Sequence, residues 1–208
     1  DGFTYVLTDN DGDSASSGVD FTASRMNENA ITLSSPQQVS GTRGNDSITG
    51  SSGDDTILGG AGNDIIKGGD GDDLIAGGAG HDTLTGGAGA DTFKWSLGDA
   101  GTTAAPAVDA ITDFNTAAAS TGGDVLDLRD LLQGESHTGT LAGNLGSYLH
   151  FEKIGADTVV NVSSSGGFSS GNYSAADQKL ILQGVDLTTL GGDTQISENL
   201  LDNGELDA

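Results

Sequence analysis

The chain has 208 residues, 35 of them Gly and none Cys, and it sets 7 basic against 31 acidic side chains for a net charge of −24. That charge excludes nucleic acid as a partner, because phosphates would be repelled rather than neutralised, and the lack of Cys excludes disulfide staples and thiolate metal sites. No run approaches eighteen apolar residues, so no segment is expected to span a membrane. The opening DGFTYVLTDN has neither the basic flank nor the apolar stretch of a secretory signal. It also has no initiator Met (the single Met is Met26), so the sequence is expected to be a piece of a longer protein.

The acids divide into 26 Asp and five Glu. Asp set among Gly reads as turns and hard-cation ligands rather than as a Glu-rich solvating tail. At the N-terminus, FTYVLTDNDGDSASSGVDF predicts two strands flanking DNDGDS. There Asp9, Asp11 and Asp13 alternate as in a Ca²⁺ loop, without the twelve-residue spacing and terminal Glu of an EF-hand; a solvated Asx-rich turn is the alternative. The segment looks like the close of a β-sandwich repeat. Residues 1–40 are therefore expected to be the end of a preceding Ig-like domain or an N-terminal cap, with Pro36 breaking the strand pattern before the next unit.

Residues 41–94 divide without remainder into six nonapeptides, GTRGNDSIT, GSSGDDTIL, GGAGNDIIK, GGDGDDLIA, GGAGHDTLT and GGAGADTFK. Positions 1 and 4 are always Gly, the latter at Gly44, Gly53, Gly62, Gly71, Gly80 and Gly89. Position 6 is always Asp, at Asp46, Asp55, Asp64, Asp73, Asp82 and Asp91, and position 8 is always apolar. At an average Gly usage of ~7%, twelve glycines in this frame would arise by chance with probability ~10⁻¹⁴, so the period is a structural unit. Six Gly-rich residues make a turn needing positive φ or close backbone approach. The remaining three make a minimal strand with one inward side chain.

Two units complete one coil of a right-handed parallel β-helix, which stacks repeat i on repeat i+2. Ile48, Ile66 and Leu84 then form one interior column and Ile57, Ile75 and Phe93 the other. The Asp residues form two columns likewise, Asp46–Asp64–Asp82 and Asp55–Asp73–Asp91. Carboxylates ~4.8 Å apart repel unless a cation lies between them, and Ca²⁺ suits the gap because it accepts six to eight oxygens in flexible geometry. Carbonyls of the Gly-rich turns are expected to complete the shell. One apolar side chain per nine residues is too thin a core to offset the ordering entropy alone, so folding should need several such ions.

These units resemble the GGxGxDxUx repeats of the RTX family, which implies a Ca²⁺-bound β-roll in a protein exported by Gram-negative type I secretion. The first two repeats depart from the pattern at position 2, with Thr42 and Ser51 in place of Gly. After the repeats, ADTFKWSLGDAGTTAAPAVDAITDF resembles the segment that closes such rolls, which implies Asp99 and Asp109 as ligands of the last sites. Asp109 lies 18 residues after Asp91 and is expected to extend that column, closing the roll at about residue 109.

Residues 110–190 predict the short strands AITDF, DVLDL, SYLHFEK, DTVVNVS and KLILQG, with a helical turn at Asp130–Gln133 stopped by Gly134. In the last twenty residues Asp193 or Thr194 serves as N-cap, Ile196, Leu200 and Leu201 share a helical face, and Gly204 is the stop. The run from GGDVLDLRDLLQGE to ISENLLDNGELDA is similar to the C-terminal domain of type I secreted adhesins, which implies an uncleaved export signal within residues 95–208. The terminal helix is expected to be a local element, accessible to a transporter without prior folding.

Other motif matches have bland readings. Gly167-Phe168-Ser169-Ser170-Gly171 has the letters of a nucleophile elbow but lies in a Ser/Gly loop with no helix after it. His81, His137 and His150 share no metal-binding spacing, and His81 is expected to point outward from its turn. The Asn-x-Ser sites at Asn45, Asn161 and Asn172 carry no weight in a bacterial protein.

The expected fold is thus all-β: a right-handed parallel β-roll of six nonapeptides, then a β-rich C-terminal cap with a short terminal helix. The expected function is non-enzymatic: a Ca²⁺-binding module that stays unfolded for type I secretion and folds on extracellular Ca²⁺ at the end of a large surface adhesin. Its partners would be Ca²⁺, the secretion machinery and, through the parent protein, a cell or substrate surface. The alternatives are an accessory module binding polysaccharide for a secreted enzyme, which should carry a basic or aromatic stripe, and ice binding, which needs a Thr/Asn array in every coil.

Overall fold

The computed structural model describes residues 5–8, 14–17 and 29–208; Asp9, Asp11 and Asp13 lie outside the described residues. Strands β1 (Tyr5–Thr8) and β2 (Ser14–Ser17) form an antiparallel pair. From β3 (Asn29–Thr32) and β4 (Gln38–Ser40) onward the chain coils. It continues through β5 (Asp46–Thr49), β6 (Thr56–Ala61), β7 (Ile65–Asp70), β8 (Leu74–Ala79), β9 (Thr83–Ala88) and β10 (Thr92–Ser96), which alternate between two sheets. One sheet runs β2-β4-β6-β8-β10 and the other β9-β7-β5-β3, with every neighbour from β3 to β10 parallel and 18 residues apart within the repeats. This is the parallel β-roll that the period requires. Its parallel ladders already begin at β3 and β4, before the first nonapeptide.

The strands are longer than the three residues expected. β6 to β9 have six residues each, because the ladder runs on through the glycines, as in Gly60 opposite Gly78 and Gly69 opposite Gly87. Alternation then sends positions 6, 8 and 1 of each unit inward. Asp, an apolar residue and Gly are buried in turn, as Asp55, Ile57 and Gly59 are. The apolar columns come out as Ile31–Ile48–Ile66–Leu84 and Val39–Ile57–Ile75–Phe93, every member at most 1% exposed.

Past the repeats, β11 (Ala107–Ile111) joins β9, and β12 (Val125–Asp130) joins β10. β11 starts three residues before the expected AITDF, and the stretch at 131–134 is a turn in which Leu131 and Leu132 N–H both donate to the Leu128 carbonyl. β13 (Leu149–Ile154), β14 (Asp157–Val162) and β15 (Gln178–Leu182) form an antiparallel meander whose last strand lies parallel on β11. Helix α1 (Asp193–Asn203) and strand β16 (Leu206–Asp207) end the chain, and β16 pairs in parallel with β12. Ile111 and Leu182 extend one apolar column, Leu126 and Leu206 the other.

Two expectations for the tail are corrected. The N-cap of α1 is Gly192, not Asp193 or Thr194. The Asp193 carboxylate is drawn off to accept the Phe151 N–H at 2.9 Å and to face His150 Nδ1, while Gln195 Oε1 takes the Gly192 N–H. Nor is the helix a free-standing element once the chain has folded. Ile196 and Leu200 are buried in the cap, and Leu206 covers Leu126 at the top of the roll.

Candidate metal centre

The six position-6 aspartates are buried, none more than 2% exposed, in two files along the roll. From Asp55 onward each carboxylate reaches one coil back, Asp55 Oδ1 accepting the Gln37 N–H at 2.6 Å, whereas Asp46 Oδ1 is buried with no hydrogen-bond partner. Asp64 Oδ1 accepts the Asp46 N–H at 2.8 Å and Asp82 Oδ1 the Asp64 N–H at 2.8 Å; in the other file Asp73 takes Asp55 at 2.8 Å and Asp91 takes Asp73 at 3.0 Å. One oxygen of each is thereby fixed. The second, Oδ2 of Asp64, Asp73, Asp82 and Asp91, is buried and has no hydrogen-bond partner. A buried carboxylate oxygen left unpaired is costly unless a cation meets it.

These oxygens do not point at random. Each lies over the position-1 Gly of its own repeat, where a Cβ would strike it: Asp64 Oδ2 at Gly59, Asp73 at Gly68, Asp82 at Gly77 and Asp91 at Gly86. At Gly59 and Gly68 the same Cβ would also strike the carbonyl oxygen of the position-1 Gly one coil on, Gly77 and Gly86. The missing side chain leaves a cradle into which a carboxylate and a carbonyl oxygen converge, the donor set that a hard cation takes. Among the described residues no three acidic or imidazole side chains form a metal cluster. In the last four repeats positions 2 and 4 bend the turn at positive φ, from +93° at Gly78 to +146° at Gly80, which a side chain at either position would oppose.

Burial, more than the repulsion between neighbouring coils, raises these acids above the ordinary carboxylate range. Asp64 and Asp73 go to about 6, Asp82 and Asp91 to about 7. The backbone N–H from the coil behind offsets part of that rise.

The first two repeats differ. Asp46 Oδ2 accepts the Thr42 N–H at 2.6 Å and the Thr42 hydroxyl at 3.0 Å; Asp55 Oδ2 accepts the Ser51 N–H at 2.7 Å and hydroxyl at 2.9 Å. The residues that break the Gly pattern supply Oδ2 with the hydrogen bonds that the later repeats lack; of the two acids only Asp55 has both oxygens bonded, because Asp46 Oδ1 is unpaired. Asp73→Asn should therefore raise the calcium midpoint of folding, followed by circular dichroism, well beyond the effect of Asp55→Asn. Equal midpoints would contradict the difference between open and self-satisfied carboxylates.

Asp109 takes a place other than the one expected, whereas Asp99 lies in the loop after β10 as expected. Asp109 stands on the Asp46–Asp64–Asp82 file, not on that of Asp91: its Oδ1 accepts the Asp82 N–H at 2.8 Å. The excursion between Ser96 and Ala107 replaces a six-residue turn, so a count of 18 lands in the opposite sheet. Its Oδ2 is filled by Trp95 Nε1 and Gln178 Nε2, both at 2.7 Å. Asp99 is half-buried, with Oδ2 on the Ser96 N–H at 2.7 Å.

The top of the other file is Asp124, whose Oδ1 accepts the Asp91 N–H at 3.0 Å and whose Oδ2 accepts Asn115 N–H at 2.8 Å. Its signal was present in the sequence, because Asp109-x-Ile111 and Asp124-x-Leu126 repeat the Asp-x-apolar spacing of the nonapeptides. Also missed was an outer ladder at position 5. Asn45 Oδ1 accepts Asn63 N–H, Asn63 Oδ1 accepts His81 N–H and His81 Nδ1 accepts Val108 N–H, so His81 is exposed yet bonded.

A family profile described as the RTX calcium-binding nonapeptide repeat (4 copies) matches residues 38–66 and 58–93. Two solution structures from the Azotobacter vinelandii mannuronan C5-epimerase are similar to this chain. The AlgE6R3 subunit is 29% identical, with 68% of this chain and 71% of that chain covered and a TM-score of 0.48. The AlgE6R2 subunit is 28% identical, with coverages of 77% and 91% and a TM-score of 0.47. No curated protein matches the chain. The segment from residue 38 to residue 93 carries RTX calcium-binding nonapeptide repeats, and calcium is the ion that such repeats bind.

Proposed function

We propose that this chain is a non-enzymatic calcium-dependent folding and export module at the C-terminus of a large surface adhesin. The observation that carries the reading is the set of four buried carboxylate oxygens left without partners, one in each of the last four repeats, over glycine cradles. Asp64, Asp73, Asp82 and Asp91 are the primary ligands, with turn carbonyls from the glycine positions. Asp46 and Asp55 close the N-terminal end on Thr42 and Ser51. Asp109 and Asp124 end the two files by accepting backbone N–H groups, and Asp99 steadies the turn after β10. Residues 41–94 act as the roll, residues 1–40 as its N-terminal neighbour or cap, and residues 95–208 as the C-terminal cap with the export signal.

At low calcium the uncompensated files repel and the repeats stay open, a state suited to threading through a type I channel. Outside the cell, modules of this kind bind calcium with Kd on the order of 10⁻⁴–10⁻³ M, and binding free energy becomes folding free energy. The apolar face of α1, buried in the folded cap, is presented to a transporter only before the cap closes. Deleting residues 192–208 should abolish export from a host carrying the cognate transporter, measured as protein in the medium. It should also loosen the cap, since Ile196, Leu200 and Leu206 are removed from it. Export of the truncated chain at the full-length level would contradict the reading.

A further inference from the structure

Glu205 is a buried acid that the repeat pattern does not account for. Its side chain is 1% exposed and its Oε1 has no hydrogen-bond partner. The backbone leaves it little choice of place. Gly204, at φ +72°, ends α1 by donating to the Leu201 carbonyl, and Glu205 N–H donates to that of Leu200. The Glu205 carbonyl then accepts Leu126 N–H at 2.8 Å, setting Leu206 opposite Leu126. That register sets Glu205 alongside Val125, next in the chain to Asp124, itself 2% exposed, at the upper end of the Asp55–Asp73–Asp91 file, and the Asp124 charge helps to raise the Glu205 carboxyl. Directly below, Asp91 Oδ2 is likewise unpaired.

The unpaired Glu205 oxygen, set beside an Asp124 whose own oxygens accept the Asp91 and Asn115 N–H groups, poses again the problem of the nonapeptides, a buried carboxylate oxygen without a cation. The cations of the adjoining strands β10 and β12 are engaged elsewhere: Lys94 on Asp127 and Asp130, Arg129 on Asp127 and Asp207. Glu205 also borders a cleft formed with Phe114, Asn115, Asn199 and Asn203, which gives a hydrated ion a way in and leaves water to fill out its shell. We propose that Glu205 and Asp124 hold a further calcium ion at the crown of this file, outside the nonapeptides, so that calcium fastens the C-terminal strand to the roll. The proposal rests on reading the aspartate files as calcium sites. Its consequence is that α1 and β16 dock last and only in calcium, because without the ion the crown holds two repelling buried charges.

The test is calorimetric titration of the full chain with CaCl₂, comparing wild type with Glu205→Gln and, separately, Asp73→Asn. Glu205→Gln, which keeps the side chain's size, should bind one ion fewer per chain while the midpoint for folding of the repeats is unchanged. Should that variant not fold, Glu205→Asp, with the charge kept and drawn back by one methylene, should bind the full number with one ion weakened. An isotherm for both Glu205 variants identical to wild type, while Asp73→Asn loses calcium, would overturn the crown site and leave the aspartate files standing. A wild-type chain that takes up no calcium would overturn both.

Discussion

Replacing Gly68 with Ala should raise the calcium concentration needed to fold the roll by at least ~5-fold, since overpacking alone costs ~1–3 kcal/mol and each ~1.4 kcal/mol is tenfold. Gly68 is not at positive φ, so backbone strain is not the reason. A Cβ there would strike Asp73 Oδ2 and come within 2.6 Å of the Gly86 carbonyl oxygen, filling the cradle in which these two converge. The substitution therefore adds a steric cost and displaces ligands at once. Gly146→Ala is the matched control, because nothing lies within 4 Å of its Cβ and its φ is ordinary. Calcium titrations followed by far-UV circular dichroism should separate the two variants; the same midpoint for both would contradict the cradle.

Much of this was legible before any coordinates, and the reason is periodicity. A strict nine-residue repeat with Asp at position 6 and an apolar residue at position 8 allows one stacking register, and the pairs Ile48 with Ile66 and Ile57 with Ile75 follow from it. Where the period stops, counting fails. The excursion after Ser96 changes sheets, so Asp109 joined the file of Asp82 although its distance from Asp91 is two full units. Asp124 lies 33 residues past Asp91 and was reachable only through its Asp-x-Leu spacing. Glu205 carried no sequence signal at all. Its burial comes from the pairing of β16 with β12, a contact between segments some 80 residues apart that no local pattern encodes. Thr42 and Ser51 were visible as departures, but their role as hydroxyl donors depends on the turn geometry of the first coil.

Calcium should control folding of the repeats outright, and the aspartate titrations fix the conditions in which this is tested. Folded values of about 6 to 7 lie above the ~3.9 of an unfolded Asp. The metal-free roll therefore binds protons more tightly than the unfolded chain does. Proton support is full only below about pH 4, the unfolded value, and is lost as pH rises from there through the folded values of about 6 to 7. At about pH 8 the carboxylates are ionised and only a metal cation can offset their burial. The direct measurement is far-UV circular dichroism of the full chain at that pH, in EGTA and then in a calcium titration to millimolar concentration. A cooperative gain of β signal on adding calcium, reversed by chelator, is the expected result. The same β signal in EGTA as in calcium would contradict the account.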